Sequence, residues 1–136
     1  MAQERESVNV LRECIDLQIR KSQDYQNPNS NIVQAMHYRR GVSTIHDMIN
    51  QKLLRAQSLL EPMENGEVRD PNFESLEDTY KDLINYASFA LSYIRGQMEG
   101  QDPTRDMLNR KIETVPVDAT KSKGKPSFED YKNAKD

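Results

Sequence analysis

Residues 75–94 read SLEDTYKDLINYASFALSYI, and this stretch decides the fold class. Its apolar residues recur every three or four positions without proline or glycine, which predicts a helix. Ser75 precedes the apolar run as an N-cap, with Asp78 at the third following position in a variant of the capping box. Gly96 or Gly100 ends the helix. Because this helix has the most apolar residues, we expect it at the centre of a bundle.

Two further helices are predicted before it. The first spans roughly residues 4–24, and its dry face is formed by apolar residues at helical spacing, namely Val8, Leu11, Ile15 and Ile19. The second begins at an N-cap, Ser43 or Thr44, and runs to about Met63. A cluster of turn formers and a polar loop separate the three segments. The sequence therefore predicts an all-α protein folded as an antiparallel helical bundle.

The bundle domain is predicted to cover residues 1–100. Asp102 followed by Pro103 has the form of a helix start, so a further helix is predicted within residues 101–117. Residues 118–136 are rich in lysine and nearly free of apolar side chains. Such a composition predicts a disordered or extended polar tail.

Composition limits the partners of the protein. Of its 136 residues 35% are hydrophobic and 30% charged, so the core is thin and we expect a homo-oligomer, most simply a two-fold dimer. A net charge of −3 argues against a dedicated nucleic-acid binder. The charged N-terminus does not resemble a signal peptide, and no apolar run is long enough to span a membrane, so we expect a cytoplasmic protein. Cys14 lies among apolar helical positions, which predicts a buried, inert thiol.

Acidic residues on two helices are spaced to share a face. Glu13 and Asp16 lie three apart on the first helix, and Asp78 and Asp82 lie four apart on the third. Carboxylates that face one groove from two helices can hold Mg²⁺, which bridges such groups to substrate phosphates. The same spacing is also typical of solvated surface. Asp82 and Asn85 are the stronger candidates, because polar side chains beside apolar residues need partners.

Basic residues offer a complementary set. Lys52 and Arg55 interrupt the apolar character of the second helix, where they would either neutralise phosphate oxygens or pair with Asp82. Arg39 and Arg40 lie beside a loop glycine, where they would either close over an anionic substrate or remain solvated. The spacing alone leaves both alternatives open.

Three stretches resemble a known family. KSQDY at residues 21–25, TIHDMINQKLLR at 44–55 and EDTYKDLINYA at 77–87 resemble, in this order, motifs of the nucleotide modification associated domain family, type one. The resemblance covers about residues 8–96. That phage and bacterial family is similar, distantly, to MazG-like nucleoside triphosphate pyrophosphatases. The resemblance implies an all-α, usually oligomeric, MazG-like bundle that binds nucleotides or acts on them, in the host cytoplasm if the gene belongs to a phage.

The resemblance also points to single residues, namely Lys21, Asp24, Lys52, Arg55, Asp82 and Asn85. In a hydrolase Asp24 and Asp82 would be catalytic, and the carboxylates selected above by their spacing, Glu13, Asp16, Asp78 and Asp82, would hold a magnesium ion. The substrate would be bound by Lys21, Lys52, Arg55 and Asn85, together with the candidates Tyr25, Arg39 and Arg40, which were selected for their side-chain chemistry. The Glu-Glu-x-x-Glu metal motif of active MazG enzymes is absent, however. Three hypotheses therefore stay open: a nucleotide hydrolase, a non-catalytic protein that binds or sequesters a nucleotide or signalling nucleotide, and a structural interaction module.

Overall fold

The computed structural model describes residues 4–25, 30–67 and 73–112. These residues form three α-helices, namely α1 (Glu6–Tyr25), α2 (Val42–Glu64) and α3 (Phe73–Ile94). A short 3₁₀ helix, Gln34–His37, lies between α1 and α2. Within these ranges there is no β-strand, which confirms the predicted all-α helical bundle. None of the helices in these ranges combines the length and apolar character that a membrane crossing needs. The predicted tail at residues 118–136 lies outside the described residues.

The end of α3 is fixed by backbone geometry. Gly96 has a φ of 69°, a left-handed conformation that favours glycine. The N–H of the next residue, Gln97, donates to the Ser92 carbonyl at 3.0 Å, which is the Schellman arrangement for the end of a helix. Gly66, with a φ of 70°, ends α2 in the same way. Of the two glycines predicted to end α3, Gly96 is therefore the terminator.

The chain divides into two compact units. Each unit is made of two segments, and the segments of the two units alternate along the sequence. Unit 1 consists of Met1–Asn31 and Asp47–Ser88, and unit 2 consists of Ile32–His46 and Phe89–Asp136. Both α2 and α3 therefore contribute to each unit. The predicted bounds of the bundle domain, residues 1–100, stay a prediction.

In unit 1, α1 and α3 run parallel to each other. The Cys14 thiol on α1 lies 4.0 Å from the Lys81 carbonyl on α3, and one turn further Gln18 donates to the Asn85 side chain at 3.3 Å. Both contacts join residues 67 positions apart, which requires the same direction along both helices. The register of these two helices positions the side chains of the site described below.

The prediction of which face of α1 is buried was wrong. Leu11, Ile15 and Ile19 are about half exposed, at 50%, 56% and 52%. The face of α1 that is buried carries Cys14 and the half-buried Leu17. Because α1 has apolar residues on two faces, periodicity alone does not tell which of them packs inward.

The further helix predicted within residues 101–117 is not formed over residues 101–112, where the structure shows turns. The Asp102 carboxylate accepts from the backbone N–H and the hydroxyl of Thr104, at 2.8 and 2.6 Å. The Asp106 carboxylate likewise accepts from the N–H of Arg110 at 2.8 Å. Such local side-chain hydrogen bonds compete with helix formation, and here they prevail over the Asp-Pro helix-start signal. Residues 113–117 lie outside the described part.

Unit 2 has a compact core of its own. The buried apolar side chains there are Ala35, Tyr38, Ile45, Tyr93 and Met98. The connection before α2 is tied to the turns after α3, because the Ala35 N–H donates to the Glu99 carbonyl at 3.0 Å and the Val42 N–H donates to the Met107 carbonyl at 2.9 Å. These bonds explain why residues 97–112 are ordered without forming a helix.

Candidate functional site

Two lysines from different helices of unit 1 converge on one aspartate. Lys52 Nζ on α2 lies 2.9 Å from Asp82 Oδ2, and Lys21 Nζ on α1 lies 3.3 Å from Asp82 Oδ1. The side chains of Asp82, Lys52 and Lys21 are 22%, 29% and 50% exposed. We call these three residues the lysine–aspartate cluster. It is half-buried yet open to solvent, and its two ammonium groups exceed its one carboxylate in charge.

Helical spacing adds a third cation near the cluster. Arg55 follows Lys52 by three positions on α2, so the two side chains leave the same face of the helix. Arg55 is exposed, and its guanidinium can bind a phosphate through two parallel hydrogen bonds. The structure thus brings Lys21, Lys52 and Asp82 together and places Arg55 one turn away along α2.

A second polar contact joins α1 to α3 and lies within one turn of the cluster residues on each helix. Gln18 Nε2 donates to Asn85 Oδ1 at 3.3 Å and to Ser88 Oγ at 3.1 Å, and the Ser88 hydroxyl donates to the Asn85 carbonyl at 2.6 Å. Asn85 is only 8% exposed. We call Gln18, Asn85 and Ser88 the amide contact. The amide contact gives the buried side chain of Asn85 the hydrogen-bond partner that a buried polar group needs.

Three of the four predicted metal ligands line one open groove of about 210 Å³ between α1 and α3, whose walls are Glu13, Asp16, Leu17, Arg20, Asp78 and Lys81. Lys81 Nζ lies 3.7 Å from a Glu13 carboxylate oxygen. The fourth predicted ligand, Asp82, belongs instead to the lysine–aspartate cluster. Within the described residues, no three acidic, histidine or cysteine side chains come together as a metal site. This donor set does not fit a magnesium ion held by protein groups alone.

Four further residues were predicted as parts of the site, namely Asp24, Tyr25, Arg39 and Arg40. The side chains of Asp24 and Tyr25 are outside the described part of the chain, so their predicted roles stay predictions. Arg39 and Arg40 belong to unit 2 and are exposed. Their backbone is fixed, because the Arg39 carbonyl accepts from Asn109 Nδ2 and the Arg40 N–H donates to the Thr44 hydroxyl, both at 2.9 Å. Their part in substrate binding also stays a prediction.

The single cysteine is buried, as predicted. Cys14 is 2% exposed, and its thiol lies 4.0 Å from the Lys81 carbonyl. Burial raises the pKa of the Cys14 thiol above its ordinary value of 9.0, whereas the ammonium of Lys81 acts in the opposite direction. A thiol held in its neutral form is a poor nucleophile, which supports a packing role for this residue.

Three residues of the α1–α3 contact were missed from the sequence: Gln18, Lys81 and Ser88. Each is polar and lies one turn from a residue that was selected, but its partner depends on the register between two helices that are far apart in sequence. The one signal available was the position of Gln18 beside the apolar residues of α1. A polar residue there indicates a partner on another helix.

Residues 21–94 match the protein family described as nucleotide modification associated domain 1. This range is more than half of the chain, begins at Lys21 and includes all of the lysine–aspartate cluster. No curated protein and no solved structure matches the chain. The matching family is the one that the three sequence motifs resemble, whereas a relationship to MazG-like pyrophosphatases is not confirmed by these comparisons.

Proposed function

Because the chain belongs to the nucleotide modification associated domain 1 family, we propose that it binds a nucleoside phosphate at the lysine–aspartate cluster. The observation that carries this proposal is the convergence of Lys21 and Lys52, from two helices, on Asp82. One carboxylate does not neutralise two ammonium groups, so the cluster keeps an excess positive charge. Lysine ammonium groups are frequent phosphate ligands in proteins, and a phosphate would neutralise this excess.

Each member of the cluster has a distinct part in the proposed complex. A lysine ammonium has three N–H donors, and Asp82 occupies one on each lysine. Because the Lys21 and Lys52 side chains are 50% and 29% exposed, the remaining donors are accessible to the oxygens of a phosphate. Asp82 therefore positions Lys21 and Lys52, which bind the phosphate, and Arg55 adds a further guanidinium ligand. The buried Asn85 supports this arrangement by fixing α1 against α3.

Hydrolysis of a nucleoside triphosphate in the MazG manner is the second candidate. The shared groove of Glu13, Asp16 and Asp78 favours it, because a magnesium ion carried by the substrate phosphates needs few protein carboxylates. Asp24 and Asp82 would then be the catalytic residues. Against this, both Asp82 oxygens are engaged by lysines, so a metal ion at this carboxylate would have to displace an ion pair. Binding without hydrolysis is therefore the function that we favour, and a magnesium requirement stays a prediction.

A thermal-shift screen distinguishes these candidates. The protein is heated with a panel of nucleoside mono-, di- and triphosphates and cyclic nucleotides, once with magnesium and once with EDTA, and products are separated by ion-exchange chromatography. Under our proposal at least one nucleotide raises the melting temperature in EDTA and is recovered intact. Release of pyrophosphate only with magnesium would support the hydrolase instead. If no nucleotide shifts the transition in either buffer, the cluster is a structural salt-bridge network.

The proposal also includes a cellular location, an oligomeric state and a class of ligand. We propose binding in the cytoplasm, which would be the host cytoplasm for a phage-encoded chain, by a homo-oligomer. The ligand is a small nucleoside phosphate, and neither a membrane nor a nucleic acid is proposed as a partner.

A further inference from the structure

The open groove between α1 and α3, which we call the α1–α3 groove, takes no part in the phosphate contacts proposed above. Its volume of about 210 Å³ is bounded by side chains from both helices. Two of these, Glu13 and Lys81, are paired with each other at 3.7 Å. Among the described residues, Asp16 and Asp78 have neither a hydrogen-bond partner nor an ion-pair partner. One carboxylate from each helix is therefore available to accept hydrogen bonds from a molecule in the groove.

The α1–α3 groove borders the lysine–aspartate cluster along both helices. Asp78 precedes Asp82 by four residues on α3, and Leu17 precedes Lys21 by four residues on α1. Side chains at this spacing are neighbours on the surface of a helix, about 5–6 Å apart. All four residues belong to unit 1. A ligand that is held by its phosphate at the cluster therefore has the groove within about one helical turn.

The groove and the cluster carry opposite excess charges. Three carboxylates and two cations line the groove, namely Glu13, Asp16 and Asp78 against Arg20 and Lys81. The cluster has two ammonium groups and one carboxylate. A phosphate is therefore attracted to the cluster and repelled from the groove. The part of a ligand that suits the groove is uncharged and rich in hydrogen-bond donors.

We propose that the α1–α3 groove binds the ribose of the nucleoside phosphate, with Asp16 and Asp78 accepting hydrogen bonds from the sugar hydroxyls. This inference rests on the proposed function, because it needs a phosphate at the lysine–aspartate cluster. The sugar is the part of a nucleotide that is bonded to the phosphate, so it is the part that reaches a site one helical turn away. In dinucleotide-binding folds an acidic side chain likewise accepts from a ribose hydroxyl. The half-buried Leu17 offers an apolar contact to the carbon atoms of the sugar.

This arrangement makes the protein selective for ribonucleotides. A 2′-deoxyribonucleotide has the same phosphates and the same charge but lacks one hydroxyl donor. One carboxylate of the groove then loses a hydrogen bond that the ribonucleotide supplies. Loss of a hydrogen bond to a charged group lowers affinity at least about tenfold. The selectivity therefore comes from the groove, whereas the phosphate contacts at the cluster are common to both sugars.

Calorimetric titration in EDTA tests this inference. The wild type is titrated with each of the four common ribonucleoside triphosphates and with the 2′-deoxy form that has the same base. We expect at least one ribonucleotide to bind at least about tenfold more tightly than its 2′-deoxy form. The Asp16→Ala, Asp78→Ala double variant removes both acceptors and should lose this preference. Because the two ligands have the same charge, the ratio of their affinities is insensitive to the change in protein charge.

The matched control is the Glu6→Ala, Glu77→Ala double variant. It also removes one exposed carboxylate from α1 and one from α3, but neither residue lines the groove, so the wild-type preference should remain. A circular-dichroism spectrum checks that each variant is helical.

The outcomes separate this inference from the proposed function. Equal affinity of the wild type for both sugars, or a preference that persists without Asp16 and Asp78, overturns the ribose site and leaves the phosphate site standing. A preference that is seen only when magnesium replaces EDTA also overturns it, since a metal ion would then occupy the groove. No binding of either sugar form by the wild type overturns the proposed function, and this inference with it.

Discussion

The ammonium of Lys52 and the carboxylate of Asp82 are 2.9 Å apart, and they connect α2 to α3. Lys21 reaches the other oxygen of the same carboxylate from α1, at 3.3 Å. Lys52 is the less exposed of the two lysines, at 29% against 50%, so its position is the more constrained. We therefore expect Lys52 to contribute more than Lys21 to the recognition of a phosphate.

Lys52→Met tests this contribution. The substitution keeps most of the side-chain volume and removes the charge, so nucleotide affinity should fall by the roughly 1.5–3 kcal/mol that a hydrogen bond to a charged group contributes, a factor of about 10 to 150. Lys52→Arg should retain part of the affinity because it keeps the charge. Lys81→Met is the matched control, since Lys81 pairs with Glu13 outside the cluster. Calorimetric titration that finds equal affinity for Lys52→Met and the control would contradict the assignment.

Asp82→Ala separates a ligand site from a structural ion pair. If Asp82 positions two phosphate-binding lysines, its loss should weaken nucleotide binding at least tenfold, while the free energy of unfolding falls by only about 1 kcal/mol, as for ion pairs that water still reaches. A purely structural, fully buried network would instead lose about 3–5 kcal/mol of stability. Urea unfolding and calorimetry on the same sample measure both quantities. A large destabilisation without any change in binding is the opposite of what we expect.

The amide contact makes a prediction about stability alone. Gln18→Ala removes a hydrogen-bond donor from the buried Asn85, and we expect it to lower the free energy of unfolding by about 1 kcal/mol. Because the two side chains share one interaction, Gln18→Ala and Asn85→Ala together should cost less than the sum of the single substitutions. Urea unfolding of the four proteins of this cycle measures the coupling. Strict additivity would show that the contact between these side chains contributes nothing.

The raised pKa of the Cys14 thiol leads to a prediction about how the free energy of unfolding depends on pH. The thiol ionises near pH 9.0 in the unfolded chain, and burial raises its pKa in the folded protein. The folded state therefore holds the proton more tightly, so the stability from this group is complete below pH 9.0 and is lost as the pH rises through the higher folded pKa. Unfolding curves above pH 9.0 should fall more steeply for the wild type than for Cys14→Ala. The native thiol should also react much more slowly with an alkylating reagent than the thiol in urea.

The helices could be predicted from the sequence because each is dominated by a local signal. The apolar period of residues 75–94 and the glycine at position 96 fix α3, although it begins at Phe73 rather than after the predicted cap Ser75. The second helix likewise begins at Val42, before the two predicted caps, Ser43 and Thr44, and the Thr44 hydroxyl instead accepts from the Arg40 N–H. Differences of this size are ordinary at helix ends.

The errors arose where two comparable local signals compete. On α1 the spacing of Leu11, Ile15 and Ile19 was more conspicuous than the second face that carries Cys14, yet the second face is the one that packs in the single chain. After α3 the carboxylates of Asp102 and Asp106 bond to nearby backbone groups and replace the predicted helix with turns. Neither outcome follows from periodicity alone, because in each case the two competing arrangements have stabilisation energies of similar size.

The lysine–aspartate cluster was only partly predictable. The pairing of Lys52 with Asp82 was one of two alternatives that the sequence left open, because both charges interrupt apolar helix surface, where an ion needs a partner or a ligand. The contact of Lys21 with the same carboxylate, and the bonds made by Gln18, depend on the parallel register of α1 and α3. That register is a tertiary property, which no local pattern in a single sequence encodes.

The proposed function is tested most directly by calorimetric titration of the wild type and of a Lys21→Met, Lys52→Met double variant with nucleoside triphosphates in EDTA. We predict saturable binding to the wild type that weakens as salt is added, since charge attraction drives it. The double variant should show no binding while its circular-dichroism spectrum stays helical. Equal binding by the two proteins, or no binding by the wild type to any of the four common nucleoside triphosphates, would contradict a phosphate site at the lysine–aspartate cluster.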